Sequence, residues 1–392
     1  MGSKVLSCLL FRKLIPMPST LPRVVLDLEK SRNRCSGLGQ FAHHLGHALV
    51  DEMTARGLMA VPLVAKEQRH AFSRNDVIIS HLWRKEILQR WYRWPLSAAP
   101  SNLSLWHATH QQARFLPLNR HTPVILTIHD LNYLREKAGR KIEREHGRIR
   151  RLIQRASAVT VISKFVAEEV TAHFDLQERP LKVIYNGRPN VSGLKSKRPL
   201  WFQHQQPFMF SIGIIDRKKN FHVLVDLLKS FPEFHLIVAG QNDSEYAAEI
   251  RHQATQLGVS ERLTLPGPVT DEERQWLYEN CRAFVFPSLT EGFGLPPIEA
   301  MTVGKPVFLA RRTSLPEIGG KWAFYWDDFS PQHMAEVFQA GMLTFDADAT
   351  YASKLKQAAS RFSWQTAARQ YVDLYCEVLG IAPAEVTRPQ AA

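Results

Sequence analysis

The stretch EGFGLPPIEAM, from Glu291 to Met301, indicates a turn that leads from a β-strand into an α-helix. It follows the short apolar run 283–286, which has the length and the β-forming composition of a buried strand. Glycine lets a backbone approach a ligand closely, and two consecutive prolines suit the start of a helix. We therefore predict a loop around Gly292 and Gly294, followed by a helix whose first turn holds Glu299.

The two glutamates of this stretch differ in how easily a structural role explains them. A carboxylate at position 299, near the amino end of a helix, would simply compensate the helix dipole. Glu291 lies in a glycine-flanked turn above a sheet, where a carboxylate contributes nothing to a core. Because ligands of open parallel sheets bind outside the carboxyl ends of the strands, Glu291 is the stronger candidate for a site residue.

The same alternation of strands and helices extends along the whole chain and predicts an α/β protein with two parallel sheets. The first series of predicted strands is 23–29, 76–81, 103–107, 124–129, 158–162 and 182–185, and the second is 208–215, 235–239, 263–265, 283–286 and 306–310. A proline-containing segment between the two series is typical of a linker. The predicted organisation is an extension (1–21), a first Rossmann-like domain (22–188), a linker (189–207), a second Rossmann-like domain (208–361) and a C-terminal segment (362–392).

Length and composition exclude several classes of protein. The chain has 392 residues, of which 45% are hydrophobic, and this is typical of a globular protein with two domains. The longest apolar runs, 5–11 and 208–215, are shorter than the ~18–20 residues that a membrane-spanning helix needs, so we expect none. The four cysteines (Cys8, Cys35, Cys281 and Cys376) have neither metal-ligand spacing nor the density of a disulfide scaffold, which favours a reducing, cytoplasmic compartment.

Three further groups of glycine or polar residues follow predicted strands. Gly37-Leu38-Gly39 precedes a predicted helix over 40–56, and it either binds an anion or forms an ordinary tight turn. His129 ends a predicted strand, where a structural and a catalytic role are equally reasonable. The three consecutive cations 217–219 precede a helix, and positive charge is unfavourable there unless an anion binds. This last group therefore favours a functional site.

Together these residues resemble the signature of a known family. The two glutamates with seven residues between them are similar to the motif of retaining GT-B glycosyltransferases of family 4, which use nucleotide sugars. The resemblance extends from about Val24 to Leu379 and includes Gly37-Leu38-Gly39, His129-Asp130, Ser163, Asn186-Gly187, Lys219-Asn220, 304–307 and 314–317. It implies two doubly wound Rossmann-like domains that face each other across a cleft, with a C-terminal helix that crosses back to the first domain.

The resemblance also implies roles for individual residues. The catalytic roles fall on His129, Glu291, Lys219 and Arg217, where the two cations bind the donor pyrophosphate and Lys218 is the alternative to Arg217. Glu299 is implied to bind the ribose of the nucleotide, and further donor-binding positions are Gly37, Gly39, Gly213, Gly292, Phe293, Gly294 and Leu295. The family pattern requires no metal ion and no cofactor, because the GDP- or UDP-sugar is a substrate.

Positive charge is concentrated in the first half of the chain. Residues 1–190 hold 30 of the 50 Lys and Arg residues but only 15 of the 37 Asp and Glu residues. Nine of these cations lie between Arg135 and Arg155. A solvated helix face would account for such a run, but the imbalance equally favours an anionic partner, either a membrane surface or a nucleic acid.

With the resemblance, these observations predict a cytoplasmic enzyme bound peripherally at the anionic inner face of the cell membrane. We predict that it moves mannose or a similar hexose from a nucleotide-sugar donor to a lipid-linked or other saccharide acceptor, in the synthesis of bacterial surface polysaccharide or lipopolysaccharide. The alternatives are a dinucleotide-binding Rossmann protein and a basic nucleic-acid-binding protein. The first needs Gly-x-Gly-x-x-Gly, which residues 37–42 do not provide, and the second needs aromatic residues within the basic run, which has none, so no nucleic acid is expected.

Overall fold

The first domain is built on a parallel sheet in the computed structural model, which describes residues 21–33, 36–72, 76–80, 102–188 and 194–382. Within these residues the sheet has seven strands in the order β3-β2-β1-β4-β5-β6-β7. They are β1 (Arg23–Asp27), β2 (Met59–Val64), β3 (Ile78–Ile79), β4 (Leu105–Ala108), β5 (Val124–Ile128), β6 (Ala158–Val161) and β7 (Leu181–Val183). The central strands β4, β5 and β6 are buried throughout, as expected for a parallel sheet with both faces covered.

The described helices of the first domain are α1 (Gly37–Ala55), α2 (Tyr133–Glu136), α3 (Arg140–Arg155) and α4 (Lys164–His173), with 3₁₀ turns at Glu29–Arg32 and Lys66–Phe72. Helix α1 begins at Gly37 rather than at Gln40 as predicted, because Ser36 caps it. The Ser36 Oγ accepts a hydrogen bond from the Gly39 amide at 3.1 Å. The predicted glycine loop is therefore the first turn of a helix.

The second domain contains a six-stranded parallel sheet in the order β10-β9-β8-β11-β12-β13, counted over residues 194–382. Its strands are β8 (Phe208–Ile212), β9 (His235–Ala239), β10 (Leu263–Thr264), β11 (Ala283–Phe286), β12 (Val307–Ala310) and β13 (Phe324–Trp326). Its helices are α5 (Val223–Ser230), α6 (Glu245–Gln256), α7 (Asp271–Asn280), α8 (Leu295–Thr302), α9 (Leu315–Gly319), α10 (Pro331–Ala347) and α11 (Tyr351–Ser360), and 3₁₀ turns lie at Arg217–Lys219, Ser260–Arg262 and Gly320–Trp322. The two sheets confirm the predicted fold class.

Helix α12 (Trp364–Leu379) crosses from the second domain back to the first. Its Asp373 accepts a hydrogen bond from Arg56 at the end of α1 at 2.5 Å. Two buried tyrosines of α12 reach the first sheet, because Tyr375 Oη lies 2.7 Å from His107 Nδ1 and Tyr371 Oη lies 3.2 Å from Thr127 Oγ1. The predicted crossover of the C-terminal helix is confirmed.

Two strands were absent from the sequence prediction. β2 contains Pro62, and proline has no amide hydrogen to donate to a sheet, so its sequence does not predict an interior strand. In the structure β2 nevertheless lies between β1 and β3, with Pro62 opposite Leu26. β13 is a three-residue strand next to β12, too short to produce a recognisable pattern. The domain limits themselves stay predictions, and residues 1–20 and 189–193 lie outside the described residues.

Candidate active site

Glu291 lies in the loop between β11 and α8, and side chains on two sides hold its carboxylate. Glu291 Oε1 accepts hydrogen bonds from Lys219 Nζ at 2.5 Å and from Ser288 Oγ at 2.6 Å. The Glu291 amide donates to Thr313 Oγ1 at 3.0 Å. The lysine and glutamate side chains are 13% and 15% exposed, so solvent screens their attraction less than that of a surface pair. Two residues that the sequence placed in the site thus form one ion pair.

Lys219 reaches this ion pair from a tight turn after β8. The turn ends at Asn220, which has a left-handed backbone (φ 58°), a conformation that asparagine tolerates better than most residues. The lysine ammonium lies 5.1 Å from the centre of the Phe286 ring. At Gly213 a Cβ atom would stand 3.3 Å from Lys219 Cε, so the predicted donor-site glycine lines the lysine side chain.

Arg217 points away from this ion pair. Its guanidinium donates to Glu249 at 2.5 Å and lies 5.5 Å from the centre of the Tyr246 ring, both on α6. The Arg217 side chain is 73% exposed. The structure therefore does not bring Arg217 together with Lys219, and its role on the pyrophosphate stays a prediction.

The Lys218 side chain points towards the first domain and away from the side chain of Lys219. Its ammonium donates to Glu136 of α2 at 3.1 Å, and Asp216 lies 3.8 Å away. Burial lowers the pKa of Lys218, but the carboxylates of Glu136 and Asp216 more than offset this and raise that pKa above its usual value. Lys218 is therefore a charged link between the two domains.

His129 follows β5 and is buried and neutral. Its ring nitrogen Nε2 lies 2.8 Å from the carbonyl oxygen of Thr109. Because a carbonyl only accepts hydrogen bonds, Nε2 carries the proton and Nδ1 keeps a lone pair. Burial lowers the pKa of His129 to about 4, against a smaller raising effect of the Thr109 bond. The His129 ring lies nearly perpendicular to the Phe41 ring of α1, at a centroid distance of 4.4 Å.

The loops after β5, β6 and β11 bring the two domains into direct contact. A Cβ atom at Gly292 would stand 2.0 Å from the carbonyl oxygen of His129, so only glycine fits there. The Gly292 carbonyl accepts a hydrogen bond from Ser163 Oγ at 2.7 Å. Thr290 Oγ1 donates to Asn132 Oδ1 at 2.5 Å. The carboxyl ends of both sheets therefore face one cleft, with the Glu291 loop against the His129 turn.

Helix α8 begins at Leu295, directly after Gly294, which has a left-handed backbone (φ 116°). Its first turn contains no acidic residue, so the expectation that Glu299 lies there is wrong. The reason is that the prolines occupy the first turn and start the helix earlier than predicted. Compensation of the helix dipole therefore does not account for Glu299. Its charge adds to burial in raising the pKa of the nearby Tyr278 hydroxyl.

Phe293 is buried and does not present its ring to the cleft. The ring centre lies 6.2 Å from that of Tyr185 and 5.6 Å from that of Phe362. Ser314 Oγ donates to the Phe293 carbonyl at 2.7 Å. The Phe293 side chain, predicted to lie in the donor site, therefore anchors the loop between β11 and α8. Leu295, the other predicted donor-site residue at the start of α8, is half-buried.

The glycines in the first turn of α1, Gly37 and Gly39, have different surroundings. A Cβ atom at Gly39 would stand 1.8 Å from the Asn33 carbonyl oxygen, which gives this glycine a structural reason. Among the described residues, nothing lies within 4 Å of a Cβ atom placed at Gly37. Packing therefore explains Gly39, whereas the donor-binding role of both glycines stays a prediction.

Comparison with known proteins assigns both domains. The family model Glycosyltransferase Family 4 matches residues 37–189, and the model Glycosyl transferases group 1 matches residues 195–342. The chain belongs to glycosyltransferase family 4. This confirms the family that the glutamate motif predicted, and it disfavours the dinucleotide-binding and nucleic-acid-binding alternatives.

Relatives of this family 4 chain include two curated proteins of Escherichia coli. The serotype-specific mannosyltransferase WbdA is 30% identical over 249 residues, which are 58% of this chain and 29% of that protein. The O-antigen chain mannosyltransferase B is 31% identical over 180 residues, which are 43% of this chain and 46% of that protein. The matches thus span less than half the length of either relative.

A solved structure shows the same fold. Sucrose-phosphate synthase from Thermosynechococcus elongatus superposes with a TM-score of 0.70 over 92% of this chain and 99% of that chain, at 18% identity. The family 4 chain therefore has the GT-B architecture that the resemblance implied.

Sequence reasoning missed the loop that follows β4 in the first domain. Gln111 and Thr109 in this loop bind the backbone and the ring of His129, respectively. Both residues come directly after a strand that was predicted, so the rule that searches the carboxyl ends of strands would have found them. Thr313 was also missed, because only the folded chain places its hydroxyl against the Glu291 amide.

A buried carboxylate at the end of β1 was missed as well. Burial raises the pKa of Asp27 to about 7, against a smaller lowering effect of its bond from the Glu29 amide. Its Oδ2 has no hydrogen-bond partner within residues 21–33, 36–72, 76–80, 102–188 and 194–382.

Metal-ligand clusters and membrane-spanning helices were searched for in the described part of the chain. There, no group of three or more His, Cys, Asp or Glu side chains is arranged to hold a metal ion. No helix among those residues combines the length and the apolar character that crossing a bilayer requires. Cys281 and Cys376 are buried free thiols, and Cys8 and Cys35 lie outside the described residues.

Proposed function

We propose that the protein is a retaining hexosyltransferase that moves mannose or a similar hexose from a nucleotide-diphosphate sugar to a saccharide acceptor. The proposed setting is the synthesis of bacterial surface polysaccharide or lipopolysaccharide, with an acceptor linked to a lipid. One observation carries the proposal: Lys219, in the turn after β8, forms an ion pair with Glu291, in the loop that contacts the His129 turn across the cleft. The E. coli mannosyltransferase relatives support the choice of sugar.

The ion pair supplies what transfer from a diphosphate requires. When the bond between the sugar and the diphosphate breaks, negative charge grows on the departing phosphate oxygens. A positioned ammonium in a site that excludes water stabilises that charge, and Lys219 is the cation that Glu291 orients. The proposal therefore includes transfer without a bound metal ion, with Lys219 balancing the charge.

The first-domain side of the cleft suits a neutral sugar. His129 offers the Nδ1 lone pair to a hydroxyl group, because its Nε2 proton is already given to the Thr109 carbonyl. Glu291 keeps a second carboxylate oxygen, and a carboxylate oxygen accepts hydrogen bonds from sugar hydroxyls. We propose that these two residues hold the transferred sugar and that Glu299 holds the ribose.

The acceptor side of the proposal rests on the exposed cations of α3. Of the nine cations from Arg135 to Arg155, Arg135 and Lys137 lie before α3 and pair with glutamates, and Arg148 and Arg155 donate to backbone carbonyls. The exposed remainder is Arg140, Lys141, Arg144, Arg150 and Arg151, none of which pairs with a carboxylate among the described residues. We call these five residues the basic stripe. Each cation close to an anionic leaflet contributes ~1 kcal/mol, which supports peripheral attachment to the membrane that carries a lipid-linked acceptor.

The experiment that tests the function is a panel of GDP-, UDP- and TDP-sugars with and without a lipid-linked saccharide acceptor. We expect sugar transfer from GDP-mannose, with slow hydrolysis when the acceptor is absent. Glu291→Gln should abolish both reactions, because it removes the charge that orients Lys219. Glu233→Gln, an exposed glutamate before β9, is the matched control and should behave like the wild type. Turnover of no sugar nucleotide, or equal turnover in the Glu291 variant, would contradict the proposal.

A further inference from the structure

The side-chain amide of Gln111 makes hydrogen bonds to two consecutive residues of the His129 turn. Gln111 Oε1 accepts from the His129 amide at 3.1 Å. Gln111 Nε2 donates to the Asp130 carbonyl oxygen at 3.0 Å and to Asp130 Oδ1 at 3.4 Å. Gln111 is 8% exposed, so these bonds lie almost entirely out of reach of water. One amide group thus satisfies an amide hydrogen and a carbonyl of adjacent residues.

The same loop also fixes the ring of His129. The Thr109 carbonyl accepts the Nε2 proton, and the Thr109 hydroxyl donates to the Asp27 carbonyl of β1. The His129 backbone is therefore held by Gln111 and its ring by Thr109, both from the loop after β4. The backbone carbonyl oxygen of His129 faces the second domain, because it lies against Gly292.

We propose that Gln111 is a positioning residue that sets the His129 backbone and ring in register with the Glu291 loop. The inference rests on the proposed function, since it assigns Gln111 a part in the transfer reaction. Gln111 acts through His129 and need not touch the substrate.

The position requires a side chain that both donates and accepts. The His129 amide needs an acceptor, and the Asp130 carbonyl needs a donor. A carboxylate at position 111 would keep the first bond and lose the second, and it would place a negative charge beside two oxygens of Asp130. When protonated, the same carboxyl group would regain a donor. Gln111→Glu is therefore a nearly isosteric variant whose effect depends on pH.

The test compares three variants at several pH values. At neutral pH we expect Gln111→Glu and Gln111→Met to lower kcat about a hundredfold, the cost of a small misplacement of a catalytic group, with little change in KM for the donor. On acidification to about pH 5.5, kcat of Gln111→Glu relative to the wild type should recover, because burial and the Asp130 oxygens favour the protonated carboxyl. Gln111→Met should not recover.

Gln112→Glu is the matched control, because the neighbouring side chain is exposed and the substitution is the same. It should keep the wild-type kcat at every pH. A purely structural role would lower the melting temperature of Gln111→Glu without a pH-dependent recovery of kcat. A loss of activity that follows the loss of folded protein, or an equal pH profile of Gln111→Glu and Gln111→Met, would therefore overturn the proposal.

A second measurement separates this inference from the function on which it rests. The ring signals of His129 in a ¹H–¹³C spectrum should shift in Gln111→Glu and stay unchanged in Gln112→Glu. If the wild type transferred no sugar but the His129 signals shifted, the proposed function would fail and the positioning of His129 would stand. Unchanged His129 signals in Gln111→Glu would overturn the positioning of His129 whatever the activity.

Discussion

On the second-domain side of the cleft, Lys219 and Glu291 form an ion pair, whereas on the first-domain side the buried titratable groups are driven towards their neutral forms. Burial lowers the pKa of His107 to about 3 and that of His129 to about 4, and it raises the pKa of Asp27 to about 7. In each case burial penalises the charged form more than the neighbouring groups stabilise it. The second-domain side, with its charged lysine and glutamate, suits a diphosphate. The first-domain side, with its neutral groups, suits sugar hydroxyls. The chemistry of each side therefore follows from whether its buried groups carry a charge.

The largest expected effect comes from removing the charge on the second-domain side. Lys219→Met keeps most of the side-chain volume but deletes the ammonium, so turnover should fall by about a hundredfold to a thousandfold, as when one donor to a developing oxyanion is removed. Steady-state transfer from a saturating donor measures it. Lys229→Met on the exposed end of α5 is the control. Near-normal turnover of Lys219→Met would move the cationic role to Arg217 or Lys218.

The contact between the two sides gives the next effect. In Gly292→Ala the new methyl group would stand 2.0 Å from the His129 carbonyl oxygen, so the loops must separate. We expect a loss of about a hundredfold in kcat/KM, because both the Glu291 loop and the His129 turn, which the proposed function places at the reacting sugar, are displaced. In Gly147→Ala on α3 nothing among the described residues lies within 4 Å of the added atom. That control should keep its activity and gain up to about 1 kcal/mol of stability, because alanine favours a helix. Equal behaviour of the two variants would show that the domains do not meet as described.

The neutral side makes a prediction about stability and pH. The pKa of Asp27 is raised by burial from its usual value of 3.8 to about 7, so the native state binds more protons than the unfolded state between these values. The contribution of Asp27 to stability is therefore fully present below about pH 4 and is lost as the pH rises towards 7. Asp27→Asn removes this loss and should raise the free energy of unfolding near neutrality by up to about 4 kcal/mol, since a shift of about three pKa units corresponds to that energy.

Urea unfolding at several pH values measures this effect, and Asp51→Asn on the exposed face of α1 is the control. His129 has the opposite sign, because burial lowers its pKa from 6.5 to about 4. The contribution of neutral His129 to the free energy of unfolding is lost as the pH falls from about 6.5 towards 4. This loss should occur both in Asp27→Asn and in the wild type. A destabilised Asp27→Asn at neutral pH would mean that the carboxylate has a partner that offsets its burial.

The difference between the two sides also explains what could be predicted from the sequence. The second-domain side is encoded locally: the Glu291 loop and the Lys219 turn each lie in one strand-turn-helix segment, and their glycines, prolines and charges mark them. The parallel sheets followed from apolar runs in the same way, except for β2, where Pro62 obscured the strand, and for β13, which has only three residues.

The rest depends on contacts between segments that are distant in the sequence. The hydrogen bonds between Gln111 and the His129 turn form only once β4 and β5 lie side by side. Likewise, the direction of the Arg217 side chain depends on Glu249 and Tyr246 of α6. The neutral state of His129 depends on burial, which no local pattern reports. Site residues that lie within one strand-turn-helix segment could therefore be predicted. Hydrogen bonds between distant segments, and the pKa shifts that burial by those segments causes, could not.

The smallest expected effect concerns the outer face of the first domain, where charge is exposed and unpaired. Arg144 and Arg148 are one helical turn apart on α3. Arg148 donates to the carbonyl of Gln112 at 2.6 Å, whereas Arg144, a member of the basic stripe, is exposed and makes no such bond within the described residues. Arg144→Ala should weaken binding to vesicles of anionic lipid about fivefold, the equivalent of ~1 kcal/mol.

Arg251→Ala on α6 is the control, because it removes an exposed arginine from the other domain. Raising the salt concentration should reduce the difference between the variants, because exposed charges are screened over about 10 Å at 0.1 M. Equal vesicle binding of both variants, or tighter binding of the wild type to oligonucleotides than to anionic vesicles, would contradict membrane attachment through the basic stripe.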